Sequence, residues 1–162
     1  MISFKPTHNQ MYGHISLSAI GYNCDSMESM TFRVQREADV YVALSSGRRL
    51  ATELQFSETD RTRVEICILE LAHNLIRHAG GGEIMLTRLQ RDNTTVGIAV
   101  EARDNGPGIP DIELALRDGY STTHSLGAGL PGVRRLMDEF EIRSTPGIGT
   151  IVRAVKWRSL RP

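Results

Sequence analysis

Glu70 and Asn74 stand four residues apart in "ELAHNLIRHAG", so on a helix both side chains project from one face. The Asn oxygen can join a magnesium shell, and the Glu can act as a base or hold a water. The same pair is equally compatible with a solvated helix face carrying a local hydrogen bond, because polar pairs at this spacing are common. His78 extends that face, where a lone histidine serves more often as a structural hydrogen-bond partner than as a ligand.

A second group is Asp104-Asn105-Gly106-Pro107-Gly108-Ile109-Pro110. The glycines leave room for a planar group to approach the backbone, and the prolines stiffen the loop. A carboxylate held on such a wall accepts from an exocyclic amino group, which separates adenine from guanine. A site that leaves a buried polar group unpaired with the wrong ligand rejects that ligand strongly. An ordinary turn with its acid in water is the competing reading. Further on, Gly127-Ala128-Gly129-Leu130-Pro131-Gly132 opens a helix, with Pro131 in its first turn. Backbone N–H groups at such a start bind phosphate, but the helix dipole supplies only about 0.3 to 1 kcal/mol per charge near a surface. A triphosphate therefore requires a magnesium ion as well, and Asn74 is its candidate ligand. Finally, Gly149-Thr150 begins the last strand, where a small hydroxyl can reach a base or a bridging water, or simply start a strand.

These residues need elements to hold them. "MTFRVQ" (Met30 to Gln35) alternates like a strand, and Glu37 to Phe56 carries Val40, Ala43, Leu44, Leu50, Ala51 and Leu54 at helical spacing. Ser57 opens a second helix running to about His78, with Val64, Ile68, Leu71 and Leu75 as its buried stripe and Gly80-Gly81-Gly82 as its stop. Glu83 to Gln90 and Thr95 to Arg103 form a hairpin about the turn Arg91 to Thr94. A short helix from about Asp111, a polar flexible segment through Ser125, a helix from Pro131 to about Phe140 and the strands "EIRST" and "TIVRAVKW" complete the order. That order predicts an α+β fold, a two-layer sandwich in which a mixed, mostly antiparallel sheet carries helices on one face.

The chain of 162 residues is long enough for one domain with a single core. Residues 1–29 mix Met, Asn, Ser, Gly and His without periodicity and are expected to be an irregular or mobile leader, with the domain occupying 30–162. With 19 basic and 19 acidic residues the net charge is zero, so no global field favours nucleic acid or anionic membrane. The separated Cys24 and Cys67 imply neither a disulfide nor a zinc site, and the absence of a signal-like start or spanning apolar run predicts a cytoplasmic protein.

Taken in order, a Glu/Asn helix, an Asp-x-Gly-x-Gly loop, a Gly-x-Gly helix start and a Gly-Thr strand resemble the N, G1, G2 and G3 boxes of the GHKL ATPase and kinase family, the Bergerat fold. The resemblance covers roughly Met30 to Trp157. Within it, "ELAHNLIRHAG", "DNGPGIPDI", "DGYSTTHSLGAGLPGVRRLMDEF" and "GTIVRAVKW" look most like the RsbT-type serine/threonine switch kinases of bacterial stress signalling. The resemblance implies ATP and Mg2+ as cofactors. It implies that Asp104 accepts the adenine amino group with Thr150 nearby through a water, and that Gly106, Gly108 and Ile109 lie against the base. Asn74 then ligates the magnesium, Glu70 activates the attacking hydroxyl, and Asp111 to Leu126 form a lid whose hinges and amide donors come from Gly127, Ala128, Gly129, Leu130 and Gly132. Many family members carry a lid cation near the terminal phosphate, for which this chain offers Arg117 early and His124 late. The implied partners are STAS-domain antagonist and scaffold proteins and a downstream phosphatase activated by contact.

Two other classes compete. A nucleotide-dependent anti-sigma or anti-activator module would use the same boxes and act by sequestration. The catalytic half of a histidine kinase would need a preceding helical hairpin with an accepting His, for which the first thirty residues are too few and too aperiodic. A Walker-type site is disfavoured by the absence of GxxxxGK[ST].

Overall fold

Alternating apolar positions put β1 (Ser29–Val34) at one edge of the sheet, with Met30, Phe32 and Val34 turned towards the core. The computed structural model describes residues 28–119 and 129–158. The expected leader thus lies outside the described residues except for Glu28 and Ser29, and Ser29 already belongs to β1.

Helix α1 (Glu37–Glu53) begins where the Asp39 carboxylate accepts the N–H groups of Gln35 and Arg36, at 3.0 and 2.9 Å. These bonds hold the Asp39 carboxyl below its ordinary range. Val40, Ala43, Leu50 and Ala51 are buried as their spacing predicts. Gly47 joins them because a Cβ there would sit 2.2 Å from Ile68 Cδ1, so the two helices touch at that point. The helix stops short of the expected Phe56: Gln55 takes a φ of 58°, and the Phe56 N–H turns back to the Ala51 carbonyl at 2.9 Å. Burial of the Phe56 ring offsets the left-handed strain at Gln55.

Helix α2 (Glu58–Ala79) follows the sequence reading closely. Ser57 Oγ accepts the Asp60 N–H at 3.1 Å, and Gly80, at φ 70°, ends the helix. Glu58 and Asp60 in the first turn and Arg77 and His78 in the last complement the helix dipole. Val64, Ile68, Leu71 and Leu75 pack against the sheet as the expected stripe.

Strands β2 (Gly82–Gln90) and β3 (Val96–Arg103) form the anticipated hairpin, and β4 (Glu139–Thr145) and β5 (Gly149–Trp157) form another. Among the described residues the order is β1-β2-β3-β5-β4 with every pairing antiparallel, so the sheet they form is not mixed. Insertion of β5 beside β3 brings the loop after β3 against the start of β5, with Arg103 opposite Ile151. Ile98, Val100 and Ala102 face the helices, while Ala99 joins Leu89, Val155 and Trp157 in a small cluster on the other face.

The short α3 (Ile112–Ala115) is capped by the Asp111 carboxylate, which accepts the Leu114 N–H at 2.9 Å. Helix α4 spans Gly129–Leu136 rather than Pro131 to Phe140. It is cut short because Asp138 is drawn to the sheet: its N–H donates to the Val155 carbonyl at 2.8 Å, and its carboxylate accepts from Lys156 Nζ at 2.8 Å and the Trp157 N–H at 2.7 Å. Phe140 therefore lies in β4.

Lys156 is buried on the helix side of β5, with Nζ also 3.7 Å from the buried Asp60 carboxylate. Removing one partner of a buried charge group leaves the others poorly compensated. Lys156→Met is expected to destabilise the domain by about 3 kcal/mol, read as a lower urea midpoint at unchanged slope. A change under about 0.5 kcal/mol would show the cluster to be solvated and dispensable.

Candidate functional site

A cavity of about 570 Å³ opens between the C-terminal half of α2, the Gly/Pro loop after β3, the start of α4 and the start of β5. Its apolar floor comes from Leu71, Leu75, Ala102 and Val152. A flat aromatic group suits such a floor, with a few polar groups at the wall to orient it.

Of the residues singled out from the sequence, Asn74, Asp104, Gly108, Ile109, Gly129, Leu130 and Thr150 all line this cavity, and His78 lies at its exposed rim. Residues 46 positions apart are joined here by two reciprocal bonds. The Asp104 N–H donates to the Thr150 carbonyl at 3.0 Å, and Asp104 Oδ1 accepts the Thr150 N–H at 3.2 Å. Oδ1 also accepts the Gly106 N–H at 2.8 Å. With Oδ1 committed twice to backbone, Oδ2 takes no hydrogen bond from the described residues and is the acceptor left to the cavity wall. The reading of Asp104 as an acid loose in water does not hold.

The loop glycines are also required by packing within the protein. A Cβ at Gly106 would lie 2.6 Å from the Ala79 Cβ, and one at Gly108, at φ 73°, would lie 2.4 Å from the Thr145 carbonyl oxygen. The small residues let the loop press onto α2 on one side and the β4–β5 turn on the other. Two bonds fasten it there: the Gly147 N–H donates to the Pro107 carbonyl at 2.8 Å, and the Ile109 N–H donates to Ser144 Oγ at 2.7 Å. Of the two, Gly108 lies on the cavity wall and Gly106 does not.

Glu70 is placed otherwise than on a solvated face. It is 4 % exposed and is not on the cavity wall, whereas the half-buried Asn74 one turn later is. Burial, and secondarily the Glu70 charge, push the Cys67 thiol far up, so it stays protonated and unreactive. Gly132 is buried within α4 and lies off the wall. Gly127, Ala128 and His124 lie outside the described residues, as does the lid segment from residue 120 onward. Arg117 is exposed just after α3 and does not line the cavity. Nearby, Arg135 of α4 pairs with Asp118, tying the two segments together.

Ser144 was not singled out from the sequence. The signal was available: it follows Phe140 and Ile142 at strand period on the helix-facing side of β4, a polar residue where the pattern calls for an apolar one.

The donor set is compatible with magnesium held chiefly by a ligand's own oxygens. Among the described residues no cluster of three or more His, Cys, Asp or Glu side chains could cage a metal alone. A hard cation that keeps its waters and bridges phosphates needs one or two protein oxygens, and the Asn74 amide oxygen can supply one. No helix among the described residues is long and apolar enough to cross a membrane.

The model of the histidine kinase-like ATPase domain matches residues 32–156. The serine/threonine-protein kinase RsbT of Bacillus subtilis (strain 168) is 46% identical over 125 residues, covering 77% of this chain and 93% of that protein. An anti-sigma F factor of Caldanaerobacter subterraneus subsp. tengcongensis is 32% identical over 97 residues, covering 58% of this chain and 68% of its own. Among solved structures, the RsbU and RsbW domains of a Mycobacterium tuberculosis protein share the fold with a TM-score of 0.55 at 16% identity, covering 84% of this chain and 34% of that longer one. The latch between Asp104 and Thr150, the placement of Asn74 and the match over residues 32–156 agree: the chain belongs to the histidine kinase-like ATPase domain family.

Proposed function

We propose that this protein is an ATP- and magnesium-dependent serine/threonine kinase that acts as a cytoplasmic partner switch, phosphorylating STAS-domain antagonist and scaffold proteins and activating a downstream phosphatase by contact. The observation that carries the reading is the backbone-anchored Asp104 on an apolar cavity it shares with Asn74, in a chain 46% identical to a named serine/threonine kinase.

Each residue has a physical part. Asp104 Oδ2 accepts from the amino group of the base, and Ile109, Leu71 and Val152 cover its ring. Asn74 would hold the magnesium ion, which neutralises phosphate charge when bound. Gly129 and Leu130 at the start of α4 line the same cavity, and their backbone N–H groups are assigned to the phosphates. Glu70, one turn before Asn74 and shielded from bulk water, is assigned to take the proton of the attacking hydroxyl. Phosphoryl transfer asks mainly for positioning and charge neutralisation, so a small domain suffices. A phosphate added to the antagonist places charge at the interface and weakens it, which releases the kinase for its second partner.

The test is transfer of the terminal phosphate from labelled ATP with magnesium to STAS-domain proteins of the same cell, comparing wild type with Glu70→Gln. Label is expected on Ser or Thr with wild type, reduced by about 10²- to 10⁴-fold in the variant, with ATP affinity unchanged. Equal transfer by both proteins would remove Glu70 from the chemistry. ATP binding with no transfer to any substrate would favour sequestration without phosphotransfer, the reading to which the anti-sigma F factor relatives lend support.

A further inference from the structure

Ser144 sits directly opposite Thr150 in the β4–β5 ladder, and its hydroxyl has three neighbours: Thr150 Oγ1 at 2.8 Å, the Ile109 N–H at 2.7 Å and the Gly149 carbonyl at 3.2 Å. A hydroxyl has one proton to give and two lone pairs to receive with. The Ile109 N–H can only donate, so it occupies one lone pair. If the Ser144 proton goes to Gly149, the second lone pair accepts the Thr150 proton, and all three contacts are hydrogen bonds. If the Ser144 proton goes instead to Thr150, the Gly149 contact is lost. The first arrangement satisfies every group at a half-buried site, in which Thr150 itself is 8 % exposed, and is the more stable.

The consequence lies on the cavity wall. A threonine whose proton is consumed by Ser144 can present only lone pairs to a ligand. It then stands beside Asp104 Oδ2 as a second acceptor, since the Thr150 N–H binds Oδ1 of the same carboxylate. Two adjacent acceptors favour a ligand edge that donates, such as an amino group or a water polarised by one. They penalise an edge that carries a carbonyl oxygen. A free threonine hydroxyl would not discriminate in this way, because it could rotate and donate to the carbonyl.

We infer that Ser144 is a positioning residue for base selection: it fixes Thr150 as an acceptor, so the cavity takes a 6-aminopurine nucleotide and rejects a 6-oxopurine. This rests on the nucleotide reading given above. Ser144 touches no ligand in this role and acts through Thr150, while its bond to Ile109 holds the loop.

The experiment measures dissociation constants of the full-length protein for ATP and for inosine triphosphate, which differ in the amino or oxo group at the six position and the ring proton that goes with it. In Ser144→Ala the ratio of the two constants is expected to fall about five- to tenfold, the weight of one neutral hydrogen bond. Ser144→Thr should restore the wild-type ratio, and Ser144→Ala should change it no further in a Thr150→Val background. If Ser144→Ala fails to fold, Ser144→Cys, a much weaker acceptor, takes its place. A loss of affinity equal for both nucleotides would show Ser144 to be a structural tether only and would overturn the inference. Wild-type protein that binds neither nucleotide would overturn the nucleotide reading itself, whereas a wild-type preference for ATP left intact in Ser144→Ala would overturn this inference alone.

Discussion

Asp104→Asn will lose ATP binding by about 10²- to 10³-fold while its unfolding midpoint barely moves. The amide oxygen of an asparagine can keep the bonds that Oδ1 accepts from the Gly106 and Thr150 N–H groups, so the loop stays latched. The amide nitrogen then replaces Oδ2 and puts a donor where the ligand also donates. The change removes a charge-assisted bond and leaves two donors facing each other, together worth about 3 to 4 kcal/mol. Loss of stability should remain below about 1 kcal/mol, since no cavity or buried charge is created. Calorimetric titration with ATP, paired with thermal unfolding, checks both halves. Affinity within about threefold of wild type would remove Asp104 from base recognition, and a collapse of stability would show that the latch depends on the carboxylate charge.

Gly149→Ala is expected to damage fold and site together. Gly149 has a φ of 148°, and a Cβ there would lie 2.1 Å from the Asp104 carbonyl oxygen and 3.0 Å from the Asn105 Cα. These are backbone atoms of the loop that carries the site, so relief requires β5 and the loop to part, breaking the pair of bonds between Asp104 and Thr150. The expected loss is about 3 kcal/mol or more, with ATP affinity falling in the same variant. Gly147→Ala is the control. It shares a positive φ, 78°, but nothing lies within 4 Å of the added Cβ, so it should pay the left-handed strain of about 1 to 2 kcal/mol alone and retain the nucleotide site. Equal effects of the two substitutions would mean that the close approach at Gly149 relaxes cheaply.

How far the sequence could be read depended on whether the deciding contact was local. The start of α2 at Ser57, its end at Gly80 and its stripe from Val64 to Leu75 are set by groups within a turn or two of one another, and all were legible. The end of α1 was less so, because it depends on Gln55 adopting a left-handed turn that the burial of Phe56 stabilises, and nothing in the local pattern announces it. The boundary between α4 and β4 was misplaced for a related reason. Val133, Met137 and Phe140 continue a helical period, but Asp138 is captured by Lys156 and Val155 from a strand that follows in the chain. Glu70 and Asn74 illustrate the limit at the site: their spacing predicts a shared face, and packing alone decides that Glu70 is buried while Asn74 reaches the cavity.

By itself the sequence determined the helix and strand order, the α+β class and the chemical identities of the four motif segments, because periodicity, caps and glycine or proline punctuation act over a few residues. Only the tertiary structure decided that Asp104 is anchored by Thr150, that the glycines serve loop packing, and that Ser144 completes the latch. Those facts depend on β5 inserting beside β3 and on atoms brought within hydrogen-bond distance across 35 to 46 positions, a geometry that only the assembled sheet and its packed helices impose.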